Sequence, residues 1–545
     1  MAALASFVGL LAEHAQVDPA PADLALTREG AAAPVQHITA TLARINDVLA
    51  RQAELRRLPR ASVVRLWTLY ESQLSACEAA MRDTALWERT APEQLGLVRR
   101  LFEWMRNACA GVAENQTFAC EMRVHVVANT LLLELLERRN HACEDAERTE
   151  TTRAINMGMQ ALANMCTANP AVQTLVWPFF AAESQLLSTF LLLAEPAAAK
   201  YALVWIHNCT VDSPANCVAL VDSTPGADAV ASMLKMFSDE ADDNDANFNL
   251  CFACIKTLLL ADLAPRIWTQ LDKIEDTDMS NAHVALLKAL DGLASPASGA
   301  RLEARLPLTG RLLAGVLVRT VARMAALMAS PDPQLDATTE HFVTFAVLIL
   351  QFLCAASLVC EPGDKEAWLD AGVVKALLDL LAGVSKLQPA MFGKTRAQPE
   401  QVQGNTFFML KVDIIKVLAN LAFESRRVQD LVRRLDGLPL VLSQCVIDDL
   451  NPYLREHALF AVRNLVMGNA ENQALVASLE AREVVPNAML DEMGVHAQVD
   501  PRTGKLRFVQ PGHAAAAAAA PRGGPAADEG DADGGAASDG GGGGK

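Results

Sequence analysis

The chain has 545 residues, 51% of them hydrophobic and only 5% aromatic, with a formal net charge of −17. So much apolar residue with so little aromatic supports a long helical core and leaves little sheet chemistry, while the acidic balance argues against a nucleic acid or anionic membrane as main partner, because phosphate binding needs a concentrated cationic face. The twelve cysteines come with no secretory leader, since MAALASFVGLLAEHAQVD lacks a cation before its apolar run, and we expect a cytoplasmic, reducing location.

Residues 1–90 read as an N-terminal helical cap with a linker, DPAPADLALTREGAAAP, at about 18–34. Three similar passages follow within residues 91–260. RLFEWMRNACAGVAENQ carries Asn107 with Asn115 and Gln116 eight and nine residues on; ALANMCTANPAVQ carries Asn164 with Val172 and Gln173; ALVWIHNCTVDSPANC carries Asn208 with Asn216. Asn164 and Asn208 are 44 residues apart. The acidic SDEADDNDAN, 238–247, reads as a loop. Residues 261–404 are expected to be degenerate helical repeats, with length for about five more units between Asn208 and Asn420 and a repeat-like turn at Gly372. Within them Thr344–Cys360 is apolar but short for a bilayer and has Gln351 at its middle, so it reads as a buried helix and no membrane span is expected. QPAMFGKTRAQPEQVQGN, 388–405, separates this region from the next.

Residues 405–493 repeat the device. IIKVLANLAFESRRVQ has Asn420 with Val428 and Gln429, and AVRNLVMGNAENQ has Arg463 and Asn464 with Asn472 and Gln473, again 44 residues apart. Ala458, Ala461, Val462 and Leu465 recur at i, i+3, i+4 and i+7, which predicts a helix with one buried stripe and Asn464 on the next row. Residues 494–512 form an extension with an expected β-hairpin from about Val495 to Val509 around Pro-Arg-Thr-Gly. The Ala/Gly-rich acidic residues 513–545 lack bulky hydrophobes and are expected to be disordered.

A helical period in the low-to-middle forties predicts an all-α, armadillo/HEAT-like right-handed superhelical solenoid. LDGLPLVLSQCVIDDLNPYLREHALFAVRNL with ENQALVASLE resembles the C-terminal signature of the ataxin-10 family. RNACAGVAENQ is similar to that family's first repeat, and MGVHAQVDPRTGKLRFV to its terminal extension. The family tends to place Trp where this chain has His457, which bears on the packing of that step. The resemblance implies an intracellular, non-catalytic scaffold connected with cytokinesis, cell division or cell survival.

No phosphate loop, HExxH motif, nucleophile elbow or clustered histidines accompany the repeats, so neither enzyme activity, cofactor nor metal is expected. Cys251 and Cys254 form a lone CxxC without a second ligand pair. Asp448 and Asp449 are explained by a helix start with Asn451 as its cap. The Arg pairs 56–57, 426–427 and 433–434 read as solvated helix faces. The sequons at Asn115 and Asn208 fall inside repeats. The candidate site is therefore the amide series: Asn107, Asn164, Asn208, Asn420, Arg463 and Asn464, with Gln116, Gln173, Gln429, Asn472 and Gln473. On a concave face these amides could hold the backbone of a bound protein or peptide; alternatively they fasten neighbouring repeats, as buried amides must be paired in any case. An armadillo-type transport adaptor is the other function considered. It would need tryptophans paired with the asparagines; Trp104 and Trp205 qualify by spacing, Ala419 and Arg463 do not.

Overall fold

The structure is a computed structural model that describes residues 2–16, 35–58, 63–142, 144–192, 196–239, 246–275, 279–294, 306–328, 337–392, 409–448, 451–479, 496–499 and 506–509. The expected linker at 18–34, the turn at 501–504, the tail 513–545 and most of the loops at 238–247 and 388–405 lie outside them. The chain divides into two units, Met1–Met467 and Gly468–Lys545.

The first unit is built from helices that pack on their sequence neighbours. After α1 (Ala2–His14) and α2 (Val35–Arg51) come α3 (Val63–Arg82) and α4 (Thr84–Cys109). Regular triplets follow: α5 (Ala113–Glu121), α6 (Val124–His141) and α7 (Asp145–Cys166); α8 (Pro170–Ala182), α9 (Leu186–Leu192) and α10 (Pro196–Thr210); α11 (Pro214–Asp222), α12 (Thr224–Asp239) and α13 (Ala246–Leu260). The third helices stack in order, α2 on α4, α4 on α7, α7 on α10 and α10 on α13, and form the ladder referred to below. Each unit thus buries its apolar face only against the next, which is solenoid construction.

Then come α14 (Ala264–Ile274), α15 (Asn281–Ala294), α16 (Pro307–Met328), α17 (Ala337–Val359), α18 (Pro362–Asp370), α19 (Val373–Phe392), α20 (Leu410–Ala422), α21 (Arg426–Arg434), α22 (Gly437–Leu442) and α23 (Leu454–Val466). The ladder continues through α13, α15, α17, α20 and α23. Among the described residues it holds three helices between Asn208 and Asn420. Residues 295–305, 329–336 and 393–408 lie outside the described residues. Asp262 carries order across this irregular stretch: its carboxylate accepts from the backbone N–H groups of Leu308 and Thr309, both at 2.9 Å, and caps α16.

Local chemistry explains why the triplets begin and end where they do. Asn169, Ser213 and Ser425 each precede a first helix and accept from the N–H three residues on. One residue before the cap, the chain takes a left-handed turn at Ala168, Asp262 and Glu424, as it also does at Gly111. Met409 and Tyr453, 44 residues apart, share a φ of 64° at the starts of α20 and α23. Gly372, at φ 89°, forms the turn between α18 and α19.

The core is aromatic at the front, where Trp104 lies 4.9 Å from both Trp67 and Tyr70 and 5.1 Å from Phe7. Gly158 lets α7 approach α4 and α6, since a Cβ there would meet Leu132 at 2.7 Å and Phe102 at 2.9 Å. Within α17, residues Glu340–Val359 are long and apolar enough to cross a membrane, and half of that stretch is buried. Phe345, Ile349, Phe352 and Leu353 supply its buried side.

The second unit contains α24 (Ala470–Ser478), capped by Asn469, and the expected hairpin. Strands β1 (His496–Val499) and β2 (Leu506–Val509) pair antiparallel, with His496 opposite Val509 and Val499 opposite Leu506.

Candidate functional site

The ladder amides are joined from one helix to the next. Asn107 donates its amide to the carbonyl of Asn46 at 3.1 Å, Asn164 to Arg106 at 3.0 Å, and Asn464 to Ala419 at 3.0 Å. Asn420 donates to the Ser357 hydroxyl at 2.8 Å, and Asn208 to that of Thr167 at 3.1 Å. Asn107 and Asn464 are buried, whereas Asn164, Asn208 and Asn420 are half-buried. Arg106 folds back to donate to Asn107 Oδ1 at 3.0 Å. Arg463, in the same relation to Asn464, is exposed and stands 6.0 Å over the Phe460 ring; Asn464 Oδ1 has no hydrogen-bond partner among the described residues.

The amides nine residues further on clamp the end of one ladder helix to the end of the next. Gln116 Nε2 donates to Cys109 O (3.1 Å) on its own side and to Asn164 O (2.8 Å) and Thr167 O (3.0 Å) across the junction. Its oxygen accepts from Asn169 Nδ2 at 2.9 Å. Gln429 repeats the pattern on Ala422 O (3.4 Å), Asn464 O (2.9 Å) and Met467 O (3.3 Å). Half-buried Gln173 holds Cys166 O at 2.9 Å. Asn115 and Asn216 donate seven residues back, to Ala108 O and Cys209 O, both at 2.7 Å. In the third triplet the glutamine position is Cys217, whose thiol approaches Thr210 O at 3.3 Å. In the second unit Asn472 is buried and Gln473 exposed.

Three members of this system escape a search for glutamine. Asn46 is a ladder amide on α2, donating to Arg100 O at 3.0 Å. Arg56 takes the clamp position with a guanidinium, reaching Leu49 O at 2.8 Å, Ala50 O at 2.9 Å and Ala110 O at 3.5 Å. Lys365 takes it with an ammonium, on Asn420 O at 3.4 Å. Arg56 is thus a junction residue rather than a solvated charge, and Arg427 is likewise engaged, with Glu366 and Asp370.

The loop before α23 also differs from expectation. Asn451 does not cap that helix, whose first turn follows the left-handed Tyr453. Instead Asn451 Oδ1 accepts from Lys411 N at 3.0 Å and Asp448 pairs with Lys411 Nζ at 3.0 Å, so the loop fixes the start of α20. Pro452 and Tyr453 delay the helix and carry Asn451 too far from it to cap.

The remaining chemistry-bearing groups sit in structural settings. Trp104 and Trp205 are fully buried and face the core. Cys251 and Cys254 lie on different carbonyls, Met233 O and Leu203 O. Burial pushes the thiols of Cys77 and Cys254 up to about 12 and that of Cys120 up to about 11. Burial likewise raises Asp413 despite Lys416, and, with Lys416, lowers His457. A cleft of about 810 Å3 opens over the short α9. Its Ser188 and Ser232 hydroxyls donate to the carbonyls of Gln185 and Asp228.

Residues 410–509 match the family model described as the spinocerebellar ataxia type 10 protein domain. The chain is similar to Ataxin-10 of Xenopus tropicalis, 25% identical over 468 residues covering 84% of this chain and 89% of the relative. It is 23% identical to Ataxin-10 of Homo sapiens, covering 88% and 96%, and 34% identical to the Ataxin-10 homolog of Saccharomyces cerevisiae over 119 residues, 22% and 21%. Among solved structures, one titled for a phosphorylation switch between cadherin and beta-catenin aligns at 11% identity and TM-score 0.32 over 84% of this chain and 70% of that one. A designed armadillo repeat protein aligns at 14% and 0.19 over 61% and 99%.

Proposed function

We propose that this chain, which belongs to the ataxin-10 family, is a non-catalytic protein-interaction scaffold whose amide series fastens the repeats to one another. The observation that carries this reading is the Gln116 and Gln429 pattern: both side chains are buried on main-chain carbonyls of two successive ladder helices. Amides engaged in this way hold a surface in place rather than react. Family membership points to cytokinesis, cell division or cell survival as the setting, in the cytoplasm. The transport-adaptor alternative is weaker, because it needs tryptophans in the open beside the asparagines and Trp104 and Trp205 are in the core.

Proximity labelling with the full chain in its native cell tests the proposal. A reproducible set of enriched proteins, unchanged by loss of the cysteines' or acids' reactivity, is expected. Failure to enrich any protein above an unrelated control of similar size and charge sinks the scaffold reading.

A further inference from the structure

Large apolar side chains stand in the open at the ends of successive ladder helices. Val211, Phe423 and Met467 each lie three residues past a ladder amide, Asn208, Asn420 and Asn464, and are 45%, 44% and 37% exposed. Leu260, the last residue of α13, and Leu358, next to last in α17, stand two residues past the ladder positions Leu258 and Ala356 and are 42% and 73% exposed. Three of them are consecutive along the ladder, Leu358 near the end of α17, Phe423 just past α20 and Met467 just past α23. Hydrogen bonds tie these turns together: Asn420 donates to the Ser357 hydroxyl, beside Leu358, and Gln429 holds both Ala422 O, beside Phe423, and the carbonyl of Met467 itself. A row of this kind, set rigidly by internal hydrogen bonds yet uncovered, differs from the scattered surface hydrophobes of any protein.

We infer that the Leu358–Phe423–Met467 row docks an extended, basic segment of another protein that carries a large apolar side chain at every third position. The spacing selects the extended form. Packed helices stand about 8–10 Å apart, and an extended chain in the polyproline II form, with three residues per turn and about 3.1 Å rise per residue, presents every third side chain on one side at about 9 Å intervals. Charge selects the sign. Glu361 and Glu424 are exposed in the same two turns, and Glu424 has no ion-pair partner among the described residues. Of the neighbouring cations, Lys365 is engaged on Asn420 O, Arg426 on Asp430 and Arg427 on Glu366 and Asp370, while Arg463, before Met467, stands over the Phe460 ring. The net charge of −17 favours the same partner at longer range. This inference rests on the scaffold reading and supplies the chemistry of its partner.

The test uses the full chain and a fluorescein-labelled synthetic peptide with Leu at every third position and Lys or Ser between. Two control peptides have the leucines gathered at one end or every Lys replaced by Glu. In anisotropy titrations the patterned basic peptide should bind at least tenfold more tightly than either control. Phe423→Ser with Met467→Ser, and separately Leu358→Ser, should each weaken it about tenfold with unchanged circular dichroism, whereas Leu175→Ser, at an exposed leucine away from the row, should not. Equal binding of the three peptides, or undiminished binding by the row variants, overturns the assignment. If sedimentation shows an assembly of the chain that Phe423→Ser with Met467→Ser dissolves, the row is an interface between copies and the proposed partner is wrong. A labelling set retained by the row variants would count against the row and leave the scaffold standing; an empty set with the unaltered chain would remove the scaffold itself.

Discussion

The Asn464 amide donates to the carbonyl of Ala419 at 3.0 Å, the residue directly before Asn420, just as Asn164 donates to Arg106, directly before Asn107. Each ladder amide takes hold of the turn that carries its predecessor. Asn464→Ala therefore takes away one of the two donors on the Ala419 carbonyl, which keeps the Phe423 N–H at 3.1 Å, and should cost about 1–2 kcal/mol for the lost bond and the space left behind. Because Asn464 Oδ1 has no partner among the described residues, losing it recovers part of that cost. Asn208, half-buried and donating to a hydroxyl that water can serve, should cost under about 1 kcal/mol as Ala. Urea unfolding followed by circular dichroism ranks the two, and a larger loss for Asn208→Ala would contradict the ladder.

The clamps should rank in the same manner. Gln116 satisfies three carbonyls and is buried, whereas Gln173 reaches one and is half-buried. Gln116→Ala is expected to lose about 1–3 kcal/mol, with faster hydrogen exchange at the ends of both α4 and α7. Gln173→Ala should stay below about 1 kcal/mol, with any change confined to the end of α7. Exchange that speeds up at α4 alone in the Gln116 variant would show that the clamp does not span the junction.

Gly158 offers a purely steric test. A methyl group there meets Leu132 and Phe102 inside 3 Å, on two different helices, so neither neighbour can yield without disturbing the other. Gly158→Ala should destabilise by about 1–3 kcal/mol even though alanine is the better helix former. A gain in stability would mean that the helix packing relaxes freely.

Acid sensitivity should localise at His125. Burial, and then Arg123, lower its pKa from 6.5 to about 4, and its ring lies 5.9 Å from Phe179. The unfolded chain therefore binds a proton that the folded chain refuses between about pH 6.5 and 4. Stability conferred by the neutral ring is complete above that window and falls as the pH drops through it, by up to about 3 kcal/mol. His125→Phe should flatten this part of the stability–pH curve relative to the unaltered chain. An unchanged slope would assign the acid loss to other groups.

The amides and their 44-residue spacing are legible in the sequence because the whole junction, from ladder amide through left-handed turn and cap to clamp, fits within ten consecutive residues. What is not legible is substitution by function. Arg56 and Lys365 offer donors to the same carbonyls without looking like glutamine, and Asn46 is followed nine residues on by Leu55. The middle reads poorly for a different reason: its ladder positions are filled by Leu258 on α13 and Ala356 on α17, which pack without any polar mark. Asn451 misleads because its sequence position suits a cap, while the left-handed Tyr453 sends its side chain to Lys411.

The clamps take hold of main-chain oxygens, and that choice has an evolutionary reading. A lock that grips carbonyls sets no condition on the side chains of the turn it grips. Ala110 and Met467 are both held by it, though one is small and the other large and apolar. Those positions are consequently open to drift, unit by unit, while the alignment of the units survives. A chain so built can change what it displays along that edge without having to solve its folding again.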